Sequence, residues 1–387
     1  MKRVLFLFNH DAAHQVAHLA SVAAAMGRTH PEVATIVAYS TPAIRDQLRK
    51  LIGEDDAARL DWKELALPGW ARIAARLFDR VLPATRLLRL RLNAPLFASV
   101  DMVVSTERTC LRLKAQLDPA QTPLFGFIPH GSGDRSVSYH PDITRFDLVM
   151  VSGRKVVDQL VSHGVSPERI EVTGYPKFEA VDLSAKPDFF GNGKPTFVYN
   201  PHFDPHLSSW YDAGPELLRW FASDEGQAFN CIFAPHVMLF RKRLHISPEY
   251  KVARQRPDIP PEALSAPNIL VDVDSPRLFD MSYMLGADAY IGDVSSQMYE
   301  FLTRRRPAYY LDCRENPREE DDSWHMFWKT GPKVGSIAEL TPLLPRYAEI
   351  GAQYRAAQDE LLDYTFDMGD QPASVRAADA IARKAVG

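Results

Sequence analysis

Ala289-Tyr-Ile-Gly-Asp-Val-Ser-Ser-Gln-Met-Tyr-Glu-Phe-Leu302 reads as a buried strand that passes through Asp293 into a helix. The apolar run at its start lacks the alternation of a half-wet strand, while Met298, Phe301 and Leu302 recur at helical spacing. Between them, Asp293, Ser295 and Ser296 bring a carboxylate and two hydroxyls to a helix start. Backbone N–H groups without helical partners favour an anion there, so phosphate is the expected ligand. N-capping by Asp293 or Ser295 uses the same atoms and is compatible with that role. Glu300, one turn further on, is expected to accept the hydroxyls of a ribose.

Strands of the same kind recur on both sides of this stretch. Toward the N-terminus they are Val4–Phe8, Ala34–Ala38, Met102–Ser105, Leu124–Ile128, Leu148–Val151 and Ile170–Val172. The later ones are Thr196–Tyr199, Cys231–Ala234, Ile269–Val271, Ala289–Ile291 and Ala308–Leu311. Near-continuous apolar strands separated by helix-length segments indicate parallel sheets covered on both faces. The run Ser184-Ala-Lys-Pro-Asp-Phe-Phe-Gly-Asn-Gly-Lys-Pro195 breaks the pattern and predicts a boundary. The expectation is therefore two doubly wound, Rossmann-like α/β domains, 1–190 and 191–387, facing a cleft lined by the carboxyl ends of their strands.

Composition narrows the partners. The 387 residues are 46% hydrophobic and 24% charged, with a net charge of −4, which gives no reason to expect nucleic acid. Cys110, Cys231 and Cys313 are far apart and form no CxxC pair, so neither a disulfide scaffold nor a zinc site is expected. The first apolar run stops at Asn9, too short for a signal peptide, and no run reaches the ~20 apolar residues that cross a bilayer. A cytoplasmic protein is expected. One segment, 66–97, carries Arg72, Arg76, Arg80, Arg86, Arg89 and Arg91 interleaved with Trp70, Ile73, Leu77, Phe78 and several leucines. It reads either as a peripheral contact with an anionic membrane on its inner face or as a packed helix pair with a wet arginine face.

Strand ends carry the chemistry in such sheets. Leu124–Ile128 is followed by Pro129-His130-Gly131, where a histidine reaches the cleft and a glycine leaves room for a ligand. Thr196–Tyr199 is followed by Asn200-Pro201-His202, and Cys231–Ala234 by Pro235-His236. Phosphate contact suits these histidines better than a metal, because no spacing matches a metal motif. His10, Asp11 and His14 follow the first strand and are the acceptor-side candidates. No metal and no cofactor is expected; the nucleotide-activated donor is itself a substrate.

The order of these elements resembles the CDP-glycerol glycerophosphotransferase family, which builds teichoic-acid-type chains. The matching elements are His130-Gly131, Gly174-Tyr175-Pro176, Asn200-Pro201, Pro235-His236 and Asp293-Val294-Ser295-Ser296, with Phe146-Asp147 through Ser152 between the first two. They span Phe125 to Asp312. The resemblance implies a GT-B-type fold, an N-terminal acceptor-side domain and a C-terminal domain that binds the donor. It implies His130 as the base on the acceptor hydroxyl. His236, Ser295 and Ser296 would hold donor phosphates, with Gly131, Asn200, His202, Pro235, Asp293 and Glu300 around the donor. The chain departs from the family pattern at Ser132–Arg135, Lys177–Glu179, His202-Phe203 and Val237. The implied activity is transfer of a polyol phosphate from a CDP-alcohol to a glycan or lipid-linked acceptor. Glycosyl transfer from a nucleotide sugar, in capsule, lipopolysaccharide or exopolysaccharide synthesis, is the alternative. A non-catalytic nucleotide-sugar-binding protein is a third reading, and UDP-sugar 2-epimerases share the architecture.

Overall fold

A computed structural model describes residues 1–9, 16–79, 84–129, 131, 139–293, 295–313 and 326–387; the side chains of 73, 74 and 76–78 are outside the description. The described chain forms two compact α/β units.

The first unit is built on a seven-stranded, all-parallel sheet: β1 (Lys2–Phe8), β2 (Val33–Tyr39), β3 (Asp61–Glu64), β4 (Met102–Ser105), β5 (Leu124–Phe127), β6 (Leu148–Val151) and β7 (Ile170–Val172). Their order across the sheet is β3-β2-β1-β4-β5-β6-β7, so the strand order reverses between β1 and β4. Successive residues of β1 feed two cores. Val4, Phe6 and Phe8 pack with the helix Ala17–Thr29, and Leu5 and Leu7 pack on the opposite face. Burial on both faces is what makes the run unbroken, and each such side chain contributes about 1.5–3 kcal/mol.

The second unit carries a six-stranded parallel sheet: β8 (Thr196–Asn200), β9 (Asn230–Phe233), β12 (Ile269–Val271), β13 (Ala289–Gly292), β14 (Ala308–Leu311) and β15 (Lys333–Val334). Its order is β12-β9-β8-β13-β14-β15, with the reversal between β8 and β13. A separate antiparallel hairpin, β10 (Leu244–Ser247) and β11 (Val252–Gln255), follows β9.

The expected division 1–190 and 191–387 is corrected at both ends. The second unit begins at Asp182 and ends at Leu362, and Asp363–Gly387 belongs to the first unit. The C-terminal helix Ala373–Val386 turns an alanine-rich face, with Ala377, Ala378, Ala380 and Ile381, onto the helix Ala17–Thr29. Two glycines admit the returning chain. A Cβ on Gly153 would collide with the carbonyl of Thr365, and one on Gly174 would lie 2.9 Å from the carbonyl oxygen of Asp367. Gly174 also has φ +86°, a conformation that other residues rarely adopt. Ser152 closes the joint, its Oγ donating to Thr365 O at 2.9 Å while its carbonyl accepts from Asp367 N–H at 2.7 Å.

Candidate donor site at the switch point of the second sheet

Open α/β sheets bind ligands where strand order reverses, at the carboxyl ends of the two central strands. In the second unit those ends are Asn200 on β8 and Gly292-Asp293 on β13, with β9 and Pro235-His236 alongside. The sequence-derived residues of this unit converge there and divide into braces and donors.

Asn200 is a brace. It is 1% exposed, and its Nδ2 donates to Ala234 O at 2.6 Å and to Gln297 Oε1 at 2.8 Å. Its Oδ1 accepts from Ser295 Oγ at 2.8 Å and from Tyr290 OH at 3.4 Å. These four bonds use the full capacity of the amide and tie the ends of β8, β9 and β13 together. Ser295 is accordingly buried, and its Oγ also receives Gln297 N–H at 3.4 Å.

Asp293 is a second brace. Its Oδ1 accepts from His202 N–H at 2.8 Å; its Oδ2 accepts from Ser209 N–H at 2.7 Å and Ser209 Oγ at 2.8 Å. The carboxyl thus pins the β8 loop to the end of β13. Burial pushes its pKa up to about 7, against the pull of the Ser209 and His202 hydrogen bonds. Pro235 and Glu300 are buried beside these braces.

The remaining candidates for ligand contact are His202, His236 and Ser296. The two imidazoles lie 5.3 Å apart, with the Phe203 ring 4.5 Å from His202 and 4.7 Å from His236. His202 is 4% exposed, whereas His236 and Ser296 reach solvent. Asp204 N–H donates to His202 Nδ1 at 3.0 Å, and Met238 N–H donates to His236 Nδ1 at 3.2 Å. A ring nitrogen that accepts carries no proton, so each neutral ring holds its N–H on Nε2. The sequence supplies this through two short loops in which the residue two after each histidine offers its backbone N–H.

One part of the sequence expectation is corrected. The helix after Ser296 is Gln297–Phe301, five residues, too short for a strong macrodipole. Among the described residues, no three His, Cys, Asp or Glu side chains are grouped to hold a metal ion.

In the first unit, His10, Asp11, His14 and His130 lie outside the described residues. Their neighbours are described. Asn9 ends β1, 2% exposed, and Gly131 follows β5 in open space, where an added Cβ would meet nothing within 4 Å. Gly131, Pro129, Ile128, Ser152, Gly174 and Tyr175 line a small pocket at the ends of β5 and β6. Tyr175 packs on His18, Phe178 and Phe366, so Gly174-Tyr175-Pro176 is a structural turn.

The arginine-rich segment is also corrected in part. It forms the helices Gly69–Phe78 and Ala84–Leu92, but Arg86 and Arg89 turn inward. Arg86 Nη1 meets Glu107 Oε1 at 2.8 Å, and Arg89, 6% exposed, points Nη1 at Asn9 Oδ1 at 3.4 Å. They tie the helix Ala84–Leu92 to the residues that follow β1 and β4, contacts that the run of arginines alone does not reveal. Trp70, Arg72, Arg91 and Leu92 remain exposed. Among the described residues no helix is long and apolar enough to cross a membrane.

No family model matches the chain, and no curated protein matches it in sequence. Solved structures share its fold. The wall teichoic acid polymerase TagF, soaked with CDPG, superimposes at TM-score 0.62 with 15% identity, over 100% of this chain and 89% of that one. MnaA from S. aureus, solved with UDP, gives 0.59 and 13%, over 99% and 95%. A putative UDP-N-acetylglucosamine 2-epimerase from Listeria monocytogenes gives 0.58 and 14%, over 98% and 94%. The chain has the two-sheet α/β fold of GT-B type that the sequence pattern predicts.

Proposed function

We propose that this chain is a transferase that moves a polyol phosphate, glycerol phosphate-like, from a CDP-activated donor to an acceptor hydroxyl in cell-surface polymer synthesis. The observation that carries the proposal is the cluster at the β8/β13 reversal, where the His202 and His236 rings lie 5.3 Å apart and Ser296 is exposed after β13, beside strand ends braced by Asn200 and Asp293. Preorganised donors of this kind stabilise the charge that develops on a leaving phosphate. The fold shared with a polymerase soaked with CDPG supports the donor class.

In this reading the acceptor oxygen attacks the phosphorus of the polyol phosphate, and the bond to the bridging oxygen breaks. CMP leaves with that oxygen. His130 takes the acceptor proton, and His236 and Ser296 hold the phosphate that departs. The second reading, glycosyl transfer, has support in the likeness to UDP-sugar enzymes. There the attack is at carbon and a nucleoside diphosphate leaves. Product analysis separates them. CMP released from CDP-glycerol in the presence of a polyol-phosphate or lipid-linked acceptor is the expected result. UDP released from a UDP-sugar, with no CMP, would establish the second reading. Tight nucleotide binding without release of either would leave a binding protein.

Ser296→Ala is expected to raise the Kd for the nucleotide about tenfold, the loss of one hydrogen bond to a charged group. Isothermal titration calorimetry reads it directly, and an unchanged Kd removes Ser296 from the donor set. Ser295→Ala is expected to act through Asn200 instead, lowering the melting temperature.

A further inference from the structure

The hairpin that follows His236 sorts its side chains by pleat. Leu244 pairs with Gln255, His245 with Arg254, Ile246 with Ala253 and Ser247 with Val252. The inner row is fastened. His245 Nε2 donates to Leu239 O at 3.0 Å, Ser247 is fully buried, and Arg254 makes two bonds to Asp212, at 2.6 and 2.8 Å. Strand alternation then forces the outer row into solvent. Leu244 is 56% exposed and Ile246 65% exposed, among the most exposed large aliphatic side chains of the described residues.

The same hairpin is strongly basic within an acidic chain. Arg241, Lys242, Arg243 and Lys251 are all exposed, and the only acid from 240 to 256 is Glu249, in a protein whose net charge is −4. Outside it, Asp258 approaches Arg243 at 3.9 Å and Arg256 at 3.6 Å. Two aliphatic tips with cations in the segments just before each strand complement an anionic bilayer, whose interface takes apolar side chains and basic ones together.

We propose that the β10–β11 hairpin docks the protein on an anionic phospholipid surface, with Leu244 and Ile246 entering the interface and Arg241, Lys242, Arg243 and Lys251 meeting the headgroups. The hairpin begins eight residues after His236. The proposal does not depend on which donor the site takes.

Co-sedimentation of the full chain with vesicles tests it. Vesicles of phosphatidylglycerol and phosphatidylcholine should pellet the protein at low salt; phosphatidylcholine alone should not. The variant L244S/I246S should lose about tenfold or more in partition. The variant R241Q/K242Q/R243Q should lose about fivefold per cation removed and most of its salt dependence. Circular dichroism and melting should match the wild type for both, because all five positions are exposed. Three results would overturn the proposal. They are equal binding by wild type and L244S/I246S, loss of binding only in R72Q/R91Q of the other basic segment, or self-association through the hairpin with no vesicle binding.

Discussion

His130→Ala is expected to lower turnover about a hundredfold or more while leaving nucleotide affinity unchanged. A hydroxyl is a weak nucleophile near neutral pH, and a positioned base contributes ~10²–10⁴-fold. His130 is the proposed base because it comes three residues after the end of β5 in the sequence and precedes Gly131, which lines the pocket with Ser152 and Tyr175 and has open space about its Cα. His236→Ala should behave differently, weakening nucleotide binding as well as turnover, because its ring belongs to the donor set beside His202. The two kcat and Kd pairs, measured with CDP-glycerol and by calorimetry, distinguish base from phosphate ligand. If His130→Ala retains near-normal turnover, the base is elsewhere, and His10, Asp11 and His14 are the next to substitute.

Replacing Asp293 is expected to have the largest effect on stability. Asp293→Ala leaves His202 N–H and Ser209 N–H without their acceptor, while Ser209 Oγ keeps Tyr199 OH at 3.0 Å. Buried donors left unmade cost about 1–3 kcal/mol each, so a total loss of about 2–6 kcal/mol is expected. Asp293→Asn keeps the volume but turns an amide N–H₂ on one set of donors, with an expected cost of about 1–3 kcal/mol. The sign of the pH effect follows from burial. A carboxyl raised to about 7 in the folded state, from an ordinary value near ~4, binds its proton more tightly folded than unfolded. Its contribution to stability is therefore complete below pH ~4 and is lost as pH rises toward 7. The melting temperature of the wild type should fall between pH 5 and pH 8 relative to that of Asp293→Asn. Parallel profiles would mean that Asp293 is ionised throughout.

What could be read in the sequence was what burial writes into it. β1, β8 and β13 are covered on both faces, so their apolar runs are unbroken, and the residues that end them could be named before any contact was known. β3 was missed because it is an edge strand whose Asp61, Lys63 and Glu64 face water. The β10–β11 hairpin was missed for the opposite reason: its aliphatic side chains point outward, against the usual pattern. The return of Asp363–Gly387 to the first unit depends on contacts more than 200 residues apart, such as Ser152 with Thr365, for which local periodicity has no signal. At the site, the sequence supplied the members but not their division of labour. Asn200 and Ser295 were both expected to touch the donor, yet each is committed to the other at 2.8 Å. The inward turn of Arg86 and Arg89 was hidden as well, because their partners, Glu107 and Asn9, are distant in sequence.

The central claim is that the second unit binds a cytidine nucleotide through His202, His236 and Ser296. Thermal denaturation in the presence of CDP, CMP, UDP and GDP tests it most directly, since a ligand that binds only the folded state raises the melting temperature. At a concentration near a hundred times its Kd, CDP should stabilise by about 2.7 kcal/mol, a rise of roughly 5–11 °C for a unit of this size. The account predicts that CDP gives the largest rise and that His236→Ala and Ser296→Ala diminish it. A chain whose melting temperature none of the four nucleotides changes, or one that CDP stabilises equally with and without His236 and Ser296, would contradict it.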